Sequence, residues 1–173
     1  SFLVLAMFSF LFTSCDSDDD NGMVNDTSEN EISGLISSNM TLTNDRVWEL
    51  NGRTTVESGV TLTIEPGTII KGFPGQGANS SVLIIARGAT IIADGTADEP
   101  IIFTSTADNI GLGETMGSNL DQNDRGLWGG LIVLGNAPSS LRGDVESVQI
   151  EGIPASDTNG LYGGNDPEDS SGV

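Results

Sequence analysis

A succession of short β-rich runs separated by turns limits the folds that this chain can adopt. From Arg46 onward, runs rich in Val, Ile and Thr alternate with turns of Gly, Pro, Asn and Asp, and this alternation is typical of short strands. No long segment after the N-terminal apolar run repeats apolar residues with the 3.6-residue period of an α-helix. The chain is therefore predicted to be all-β, with strands at Val47–Leu50, Val60–Ile64, Thr68–Lys71, Val82–Ala86, Ala89–Ala93, Ile101–Thr104, Leu127–Leu134 and Ser147–Ile150.

Two of these runs resemble each other closely enough to indicate an internal repeat. Ser58–Leu62 leads to a Gly-Thr turn at Gly67, and Arg87–Ile91 leads to a similar turn at Gly95. The offset is 29 residues at the first glycine of each run and 28 at the second. A repeat of this length predicts a β-solenoid, in which each turn of the chain stacks on its neighbours. The segment Phe73–Gly77 is expected to be a loop inserted into one turn.

The solenoid hypothesis also predicts which side chains face inward. Because side chains alternate along a strand, Val60, Leu62 and Ile64 are expected to point into the core, with the threonines between them pointing outward. A β-sandwich is the alternative, and it would require hairpin turns of the Asn-Gly kind. Asn51-Gly52 is the only such pair between the first and the last predicted strand, so the solenoid is favoured.

The N-terminal segment predicts export and a lipid anchor. Phe2–Phe12 is apolar at ten of its eleven positions, which suits the core of a signal peptide but is too short to cross a bilayer, since that takes about 20 residues. Small residues precede Cys15, the only cysteine, in an arrangement similar to a lipobox, so Cys15 is predicted to carry lipid and attach the protein to a membrane. The acidic cluster Asp16–Asp20 resembles a surface-export signal, which predicts a location on the outer face of the cell outer membrane.

The predicted organisation has three parts. Residues 1–14 form part of a lipoprotein signal peptide, residues 15–44 hold the lipidated cysteine and a disordered acidic linker, and residues 45–173 form the N-terminal part of a β-helix domain. The linker is rich in Asp, Asn, Ser and Thr, a composition that buries too little surface to fold alone, although a first strand is expected near Met40–Thr43. The chain is expected to be a fragment of a longer protein.

The charge of the chain excludes some partners and some chemistry. Six basic residues face 25 acidic ones, for a net charge of −19, so nucleic acid and other polyanions are repelled. The chain has no histidine, which excludes Ser–His–Asp and Cys–His catalysis within it. Its basic residues are scattered, and Lys71 and Arg87 are expected to be solvated residues at strand ends. No catalytic residues are predicted.

A few residues are candidates for binding. Carboxylates in the C-terminal loops could hold calcium, which takes 6–8 oxygen ligands, although the alternative is that they are simply solvated; these residues are Asp157, Asp166, Glu168 and Asp169. Trp128 and Tyr162 could stack on sugar rings, although Trp128 lies in an apolar run that favours a place in the core. No cofactor is predicted, and calcium is the only metal considered.

Three longer segments carry a family resemblance. Thr61–Gly72, Asp124–Pro138 and Tyr162–Gly164, the last running on to Asp169–Gly172, resemble the signatures of a group of uncharacterised surface lipoproteins of the Bacteroidetes type. The resemblance implies a right-handed parallel β-helix of the pectin-lyase-like kind, incomplete at the C-terminus, with further turns of the coil after residue 173. It implies no particular activity.

Two functions follow as hypotheses. The first is a non-catalytic surface lipoprotein with a structural role or a role in binding or adhesion, whose partners are glycans or a host or matrix surface. The alternative is a surface polysaccharide lyase or glycoside hydrolase with its active site on turns beyond residue 173. The lack of catalytic motifs favours the first hypothesis, whereas the second depends on the likeness of fold alone.

Overall fold

The computed structural model of the protein describes residues 29–140, 143 and 145–169. The predicted signal peptide, Cys15 and the acidic cluster after it lie outside the described residues. Within the described part, the chain forms strands and two single-turn 3-10 helices, at Gly77–Asn79 and Thr158–Gly160. The strands are β1 Glu31–Ile36, β2 Met40–Leu42, β3 Val47–Val56, β4 Thr61–Ile64, β5 Ile69–Gly72, β6 Val82–Ile85, β7 Thr90–Ala93, β8 Ile102–Ser105, β9 Gly130–Val133, β10 Val148–Gln149 and β11 Leu161–Tyr162.

Nearly all of these strands pair in parallel, as successive turns of a coil do. The first sheet is built around β3, whose first half pairs with β5 and whose second half pairs with β6, while β1 pairs along its other edge. The ladder continues from β5 to β8 and from β6 to β9. The second sheet has the order β2-β4-β7, also parallel. Each of the first three turns of the coil therefore adds one layer to both sheets, and β8 and β9 add a fourth layer to the first sheet. The all-β prediction is confirmed.

The sequence repeat corresponds to the stacking of adjacent turns. Thr61 lies opposite Thr90 in the ladder of β4 and β7, which is the 29-residue offset seen in the sequence. The preceding turn is shorter, because Met40 lies opposite Leu62, an offset of 22 residues. The extra length is the segment 73–81, inserted between β5 and β6. The predicted inserted loop and the predicted solenoid are confirmed.

The β-sandwich alternative is wrong, and the position of Asn51-Gly52 shows why. Asn51 and Gly52 lie inside β3 rather than at the tip of a hairpin. Gly52 has a φ of 71°, a left-handed conformation that favours glycine. This single distortion lies where β3 passes from its pairing with β5 to its pairing with β6.

The main core lies inside the coil and is made of inward-pointing aliphatic side chains from both sheets. Val60, Leu62 and Ile64 are all buried, as predicted, whereas Thr61 and Thr63 are half-buried on the outer side. Such an interior is close-packed, so each side chain is constrained by the turns above and below it. The buried members of this cluster are Ile32, Ile36, Leu42, Trp48, Leu50, Val56, Val60, Leu62, Ile64, Ile70, Leu83, Ile85, Ala89 and Ile91.

The predicted end of the linker at residue 44 is too late. Glu31–Ile36 is a strand that pairs with β3, and Met40–Leu42, where a first strand was expected, pairs with β4. Ile32 and Ile36 of β1 are buried in the main core. Their burial comes from stacking on the next turn of the coil, a contact distant in sequence that local composition does not indicate.

A second, smaller apolar cluster lies outside the coil. Both faces of β6 are buried, because Leu83 and Ile85 point into the main core while Val82 and Ile84 belong to the second cluster. This outer face is covered by the C-terminal segment, which contributes Ile153 and contains the antiparallel pair β10–β11. The C-terminal segment is thus packed against the side of the coil rather than added to its end.

No helix in the part of the chain that the structure describes is long and apolar enough to cross a membrane.

Candidate functional site

Two inserted loops leave the coil at the same corner. The loop 73–81 connects β5 to β6, and the longer loop 106–129 connects β8 to β9 one turn later. Because β8 stacks on β5 and β9 stacks on β6, the two loops emerge side by side. Ser81 joins them to the coil, since its Oγ accepts from the backbone N–H of Gly52 at 3.1 Å and its carbonyl accepts from Gly129 N–H at 2.7 Å. Loops fixed on a rigid scaffold are where binding residues concentrate.

The longer loop is held in shape by its own hydrogen bonds. One oxygen of the Asp108 carboxylate accepts from Ile110 N–H at 3.0 Å, and the other accepts from Thr104 Oγ1 at 2.8 Å. Lys71 Nζ donates to the carbonyls of Asp108 at 2.8 Å and Ile110 at 2.7 Å. The side chains of Asn109 and Asn119 close the middle of the loop through further bonds. The loop therefore presents fixed surfaces to solvent.

An aromatic cleft lies where this loop returns to the coil. Its volume is about 240 Å³. The rings of Phe103 and Trp128 are nearly parallel, with an interplanar angle of 5° and centroids 6.4 Å apart. Thr104, Ser105 and the exposed residue Asp124 also line the cleft, and one oxygen of the Asp124 carboxylate accepts from the backbone N–H of Asp121 at 2.8 Å. The complete lining is Phe103, Thr104, Ser105, Leu120, Asp124, Gly126, Leu127 and Trp128. An aromatic wall with a few polar groups is an arrangement that suits a sugar ring.

Trp128 reaches this position because Gly72 has no side chain. Gly72 is buried in β5, and a Cβ atom placed on it would lie 2.6 Å from Trp128 Cε3. Trp128 is half-buried against the main core and also lines the aromatic cleft. It therefore combines the two roles that the sequence offered as alternatives: it packs in the core and has a surface facing the cleft.

Tyr162 lies elsewhere. It is half-buried on β11 and packs on the second apolar cluster, with Ile84 and Ile153. It does not line the aromatic cleft, so the structure does not bring the two predicted sugar-stacking residues together.

A second cleft lies between the C-terminal segment and the outer face of the first sheet, and we call it the lateral cleft. Its volume is about 160 Å³. Val82, Ile84 and Ile132 form the sheet side, and Ile153 forms the opposite side, with Arg53 and Glu151 at the border. The complete lining is Arg53, Gly77, Ala78, Ser80, Val82, Ile84, Gly129, Ile132, Glu151, Gly152 and Ile153.

Three basic side chains of the coil hold other segments of the chain against it through hydrogen bonds or an ion pair. Lys71 holds the loop 106–129 through the two carbonyls described above. Arg87 Nη1 donates to the carbonyl of Gly163 at 2.6 Å, and Arg53 Nη1 lies 3.4 Å from Asp157 Oδ2. The prediction that Lys71 and Arg87 are simply solvated is therefore wrong, because both hold distant segments of the chain in place. None of these three cations is left without a protein partner.

Three of the four carboxylates predicted as calcium candidates, all but that of Glu168, have separate hydrogen-bonding roles in the loops. Asp157 pairs with Arg53 and accepts from Asn159 N–H at 3.1 Å, where it caps a 3-10 helix. Asp166 accepts from the backbone N–H of Glu168 at 3.0 Å, and Asp169 accepts from the N–H of Asn136. Within the described residues, no group of three or more His, Cys, Asp or Glu side chains could hold a metal ion. Calcium binding thus gains no support from the geometry.

A marked pKa shift occurs at a residue that lines neither cleft. The pKa of Asp45 is lowered from 3.8 to about 2, first by the hydrogen bond from Arg46 and then by the bond from Thr43. Arg46 also lies over the ring of Trp48, with 5.5 Å from its central carbon to the ring centroid. This exposed group stabilises the turn between β2 and β3 and suggests no catalytic role.

The chain is a coil of parallel strands that stack in register and are joined by turns, and aliphatic side chains fill its interior. This architecture defines a protein of the β-helix class. The family model that matches the chain is described as a pectate-lyase-like β-helix domain, and it covers residues 34–173. The chain belongs to this family. No curated protein and no solved structure matches it significantly.

Sequence reasoning identified Trp128 but missed the other residues of the aromatic cleft. The sequence places Phe103 within the predicted strand Ile101–Thr104, and Asp124 only within a segment that carries the family resemblance. The usable signal was Gly72, a glycine directly after the predicted strand Thr68–Lys71, because a missing side chain in a strand indicates the close approach of another group.

Proposed function

We propose that this protein is a non-catalytic surface lipoprotein whose β-helix domain binds neutral glycans at the aromatic cleft. The observation that carries the proposal is the pairing of Trp128 and Phe103 beside the polar groups of Thr104, Ser105 and Asp124. A sugar ring has an apolar face of C–H groups, which an aromatic ring covers, and an edge of hydroxyls, which carboxylate and hydroxyl groups bind. Family membership supports a surface or carbohydrate-related role.

The charge of the chain favours neutral over acidic glycans. At a net charge of −19, the average field of the protein repels uronates and sulfated sugars. Arg53, at the lateral cleft, is engaged by Asp157, and Lys71 is engaged by carbonyls of the loop 106–129. Arg125, between the cleft residues Asp124 and Gly126, donates through Nε to the carbonyl of Gln122 at 3.3 Å. A lyase acting on uronates needs a cationic or basic group free to face the substrate, and this requirement favours binding over catalysis.

The test is a binding assay with matched variants. The protein is applied to a broad panel of neutral and acidic glycans, and hits are quantified by calorimetry. Asp124→Asn is expected to lower the affinity about tenfold, because a hydrogen bond to a charged acceptor is replaced by a neutral one. Asp94→Asn, an exposed change just after β7, is the control and should have no effect.

Two results would contradict this proposal. One is an absence of binding across the whole panel, and the other is binding that Asp124→Asn leaves unchanged. Release of reducing or unsaturated sugars during the assay would instead favour the alternative, a polysaccharide lyase or glycoside hydrolase, which the pectate-lyase-like family makes the second candidate.

The anchor is the other half of the proposal. We infer that Cys15 carries lipid and holds the domain at the outer face of the outer membrane, because small residues and the apolar run 2–12 precede this cysteine and an acidic cluster follows it. When the protein is produced in bacteria fed a radiolabelled fatty acid, label is expected on the wild-type chain and on Ser17→Ala. Cys15→Ser should carry none, since the acyl chains need the thiol and the amine of that residue. Equal labelling of Cys15→Ser would refute the anchor.

A further inference from the structure

The lateral cleft is a small apolar site formed by buried side chains from separate parts of the chain. The side chains of Val82, Ile84 and Ile153 that line it are each at most 9% exposed, and Ile132 completes the apolar wall. These residues come from two strands of the coil and from the C-terminal segment, which Arg53 and Arg87 hold in place. At about 160 Å³, the cleft suits a ligand with a few heavy atoms, because sites for drug-sized ligands measure roughly 300–1,000 Å³.

The charges around the cleft leave one carboxylate without compensation. Arg53 and Asp157 neutralise each other across 3.4 Å, with side chains 29% and 32% exposed. Glu151 lies at the border of the cleft and is exposed, and its side chain has no ion-pair partner among the described residues. The local charge is therefore close to −1, within a chain whose net charge is −19. Such a site attracts a cation and repels an anion.

We propose that the lateral cleft binds a small aliphatic primary amine. The alkyl chain would lie on Val82, Ile84 and Ile153, and binding would remove its apolar surface from water. The ammonium group, protonated at neutral pH as a lysine side chain is, would donate to the carboxylate of Glu151. This inference goes beyond the proposed glycan site, because it concerns a separate cleft with different lining residues.

Three ligands of one shape test the charge of the head group. They are 3-methylbutan-1-amine, 3-methylbutan-1-ol and 3-methylbutanoate, titrated into the protein while backbone amide shifts are followed by NMR. The amine is expected to shift Ser80, Gly152 and Ile153 in a saturable way, with a Kd in roughly the millimolar range for so few heavy atoms. The alcohol is expected to bind about tenfold more weakly, and the carboxylate more weakly still.

Two variants then assign the effect to one side chain. Glu151→Gln should reduce the affinity for the amine to that for the alcohol and leave the alcohol unchanged. Glu57→Gln, in the turn between β3 and β4, lies outside the lining of the cleft and should leave both affinities unchanged. The advantage of the amine over the alcohol should also shrink when the salt concentration is raised, because salt screens the charge of an exposed carboxylate.

Each contrary outcome overturns the proposal. These are equal binding of the amine and the alcohol, preference for the carboxylate, amine-induced shifts confined to other parts of the protein, or no shifts at all. None of them bears on glycan binding at the aromatic cleft, which is read from the response to Asp124→Asn.

Discussion

Replacing Leu62 with alanine is expected to lower the free energy of unfolding by about 2–5 kcal/mol, the range for a large aliphatic residue removed from a close-packed core. Leu62 is 0% exposed, in the middle of β4. It is the central member of a ladder, opposite Met40 on one side and Ile91 on the other. The turns on both sides fix the spacing of the strands, so the cavity left by the substitution cannot collapse. The loss should therefore lie in the upper part of the range.

The control for this prediction is on the same strand. Thr63 is the next residue of β4, but it points outward and is half-buried. Thr63→Ala should change the free energy of unfolding by less than about 1 kcal/mol. Urea denaturation followed by circular dichroism measures both variants, with the slope of the transition checked for constancy. Equal effects of the two substitutions would show that β4 does not alternate between core and surface as the structure has it.

The fold was largely predictable from the sequence because its strongest signals are local. Alternation of apolar residues and threonines around Leu62 predicts a strand with one buried face. The repeat of Gly-small-Thr-aliphatic after 29 residues predicts that β4 and β7 stack, and they do. In a solenoid each turn contacts only its neighbours, so a pattern confined to one turn already indicates most of the contacts that this turn makes.

The parts that were missed depend on contacts that no local pattern records. The half-polar composition of Glu31–Ile36 is typical of a linker, and only the pairing of β1 with β3 buries Ile32 and Ile36. The local sequence predicts a solvated Arg87, yet this residue donates to the carbonyl of Gly163, 76 residues away. The second apolar cluster likewise unites β6 with residues near Ile153. Such contacts follow from the path of the chain between turns, which the repeat does not specify.

The candidate site was predictable only where the residue type is rare. Trp128 stood out as one of two tryptophans, and it lines the aromatic cleft. Asp124 did not stand out, because it is one of 25 acidic residues. A role in binding can be assigned to one of them only from the groups that surround it in the structure. The same abundance made the C-terminal carboxylates look like a cluster, whereas the structure gives Asp157, Asp166 and Asp169 separate backbone or ion-pair partners.

Replacing Gly72 with alanine is the second substitution with a large expected effect. The added Cβ would lie 2.6–2.9 Å from three atoms of Trp128, closer than non-bonded carbon atoms approach. Because Gly72 has an ordinary strand conformation rather than a positive φ, alanine fits the backbone, and the whole cost falls on the tryptophan. Trp128 must move away from the core, and we expect a loss of about 1–3 kcal/mol in the free energy of unfolding, as for other overpacked sites.

Gly111→Ala separates this clash from the general effect of removing a glycine. The nearest atom to a Cβ at Gly111 is Glu114 Oε2, at 3.6 Å, which is an ordinary contact, so this variant should keep its stability within about 0.5 kcal/mol. Tryptophan fluorescence should shift to longer wavelength in Gly72→Ala and not in Gly111→Ala, because only the first exposes Trp128. If Trp128 forms the wall of a glycan site, Gly72→Ala must also weaken glycan binding while the protein remains folded. If Gly72→Ala displaces Trp128 and glycan binding is unchanged, then Trp128 has no role in binding and contributes only to the core.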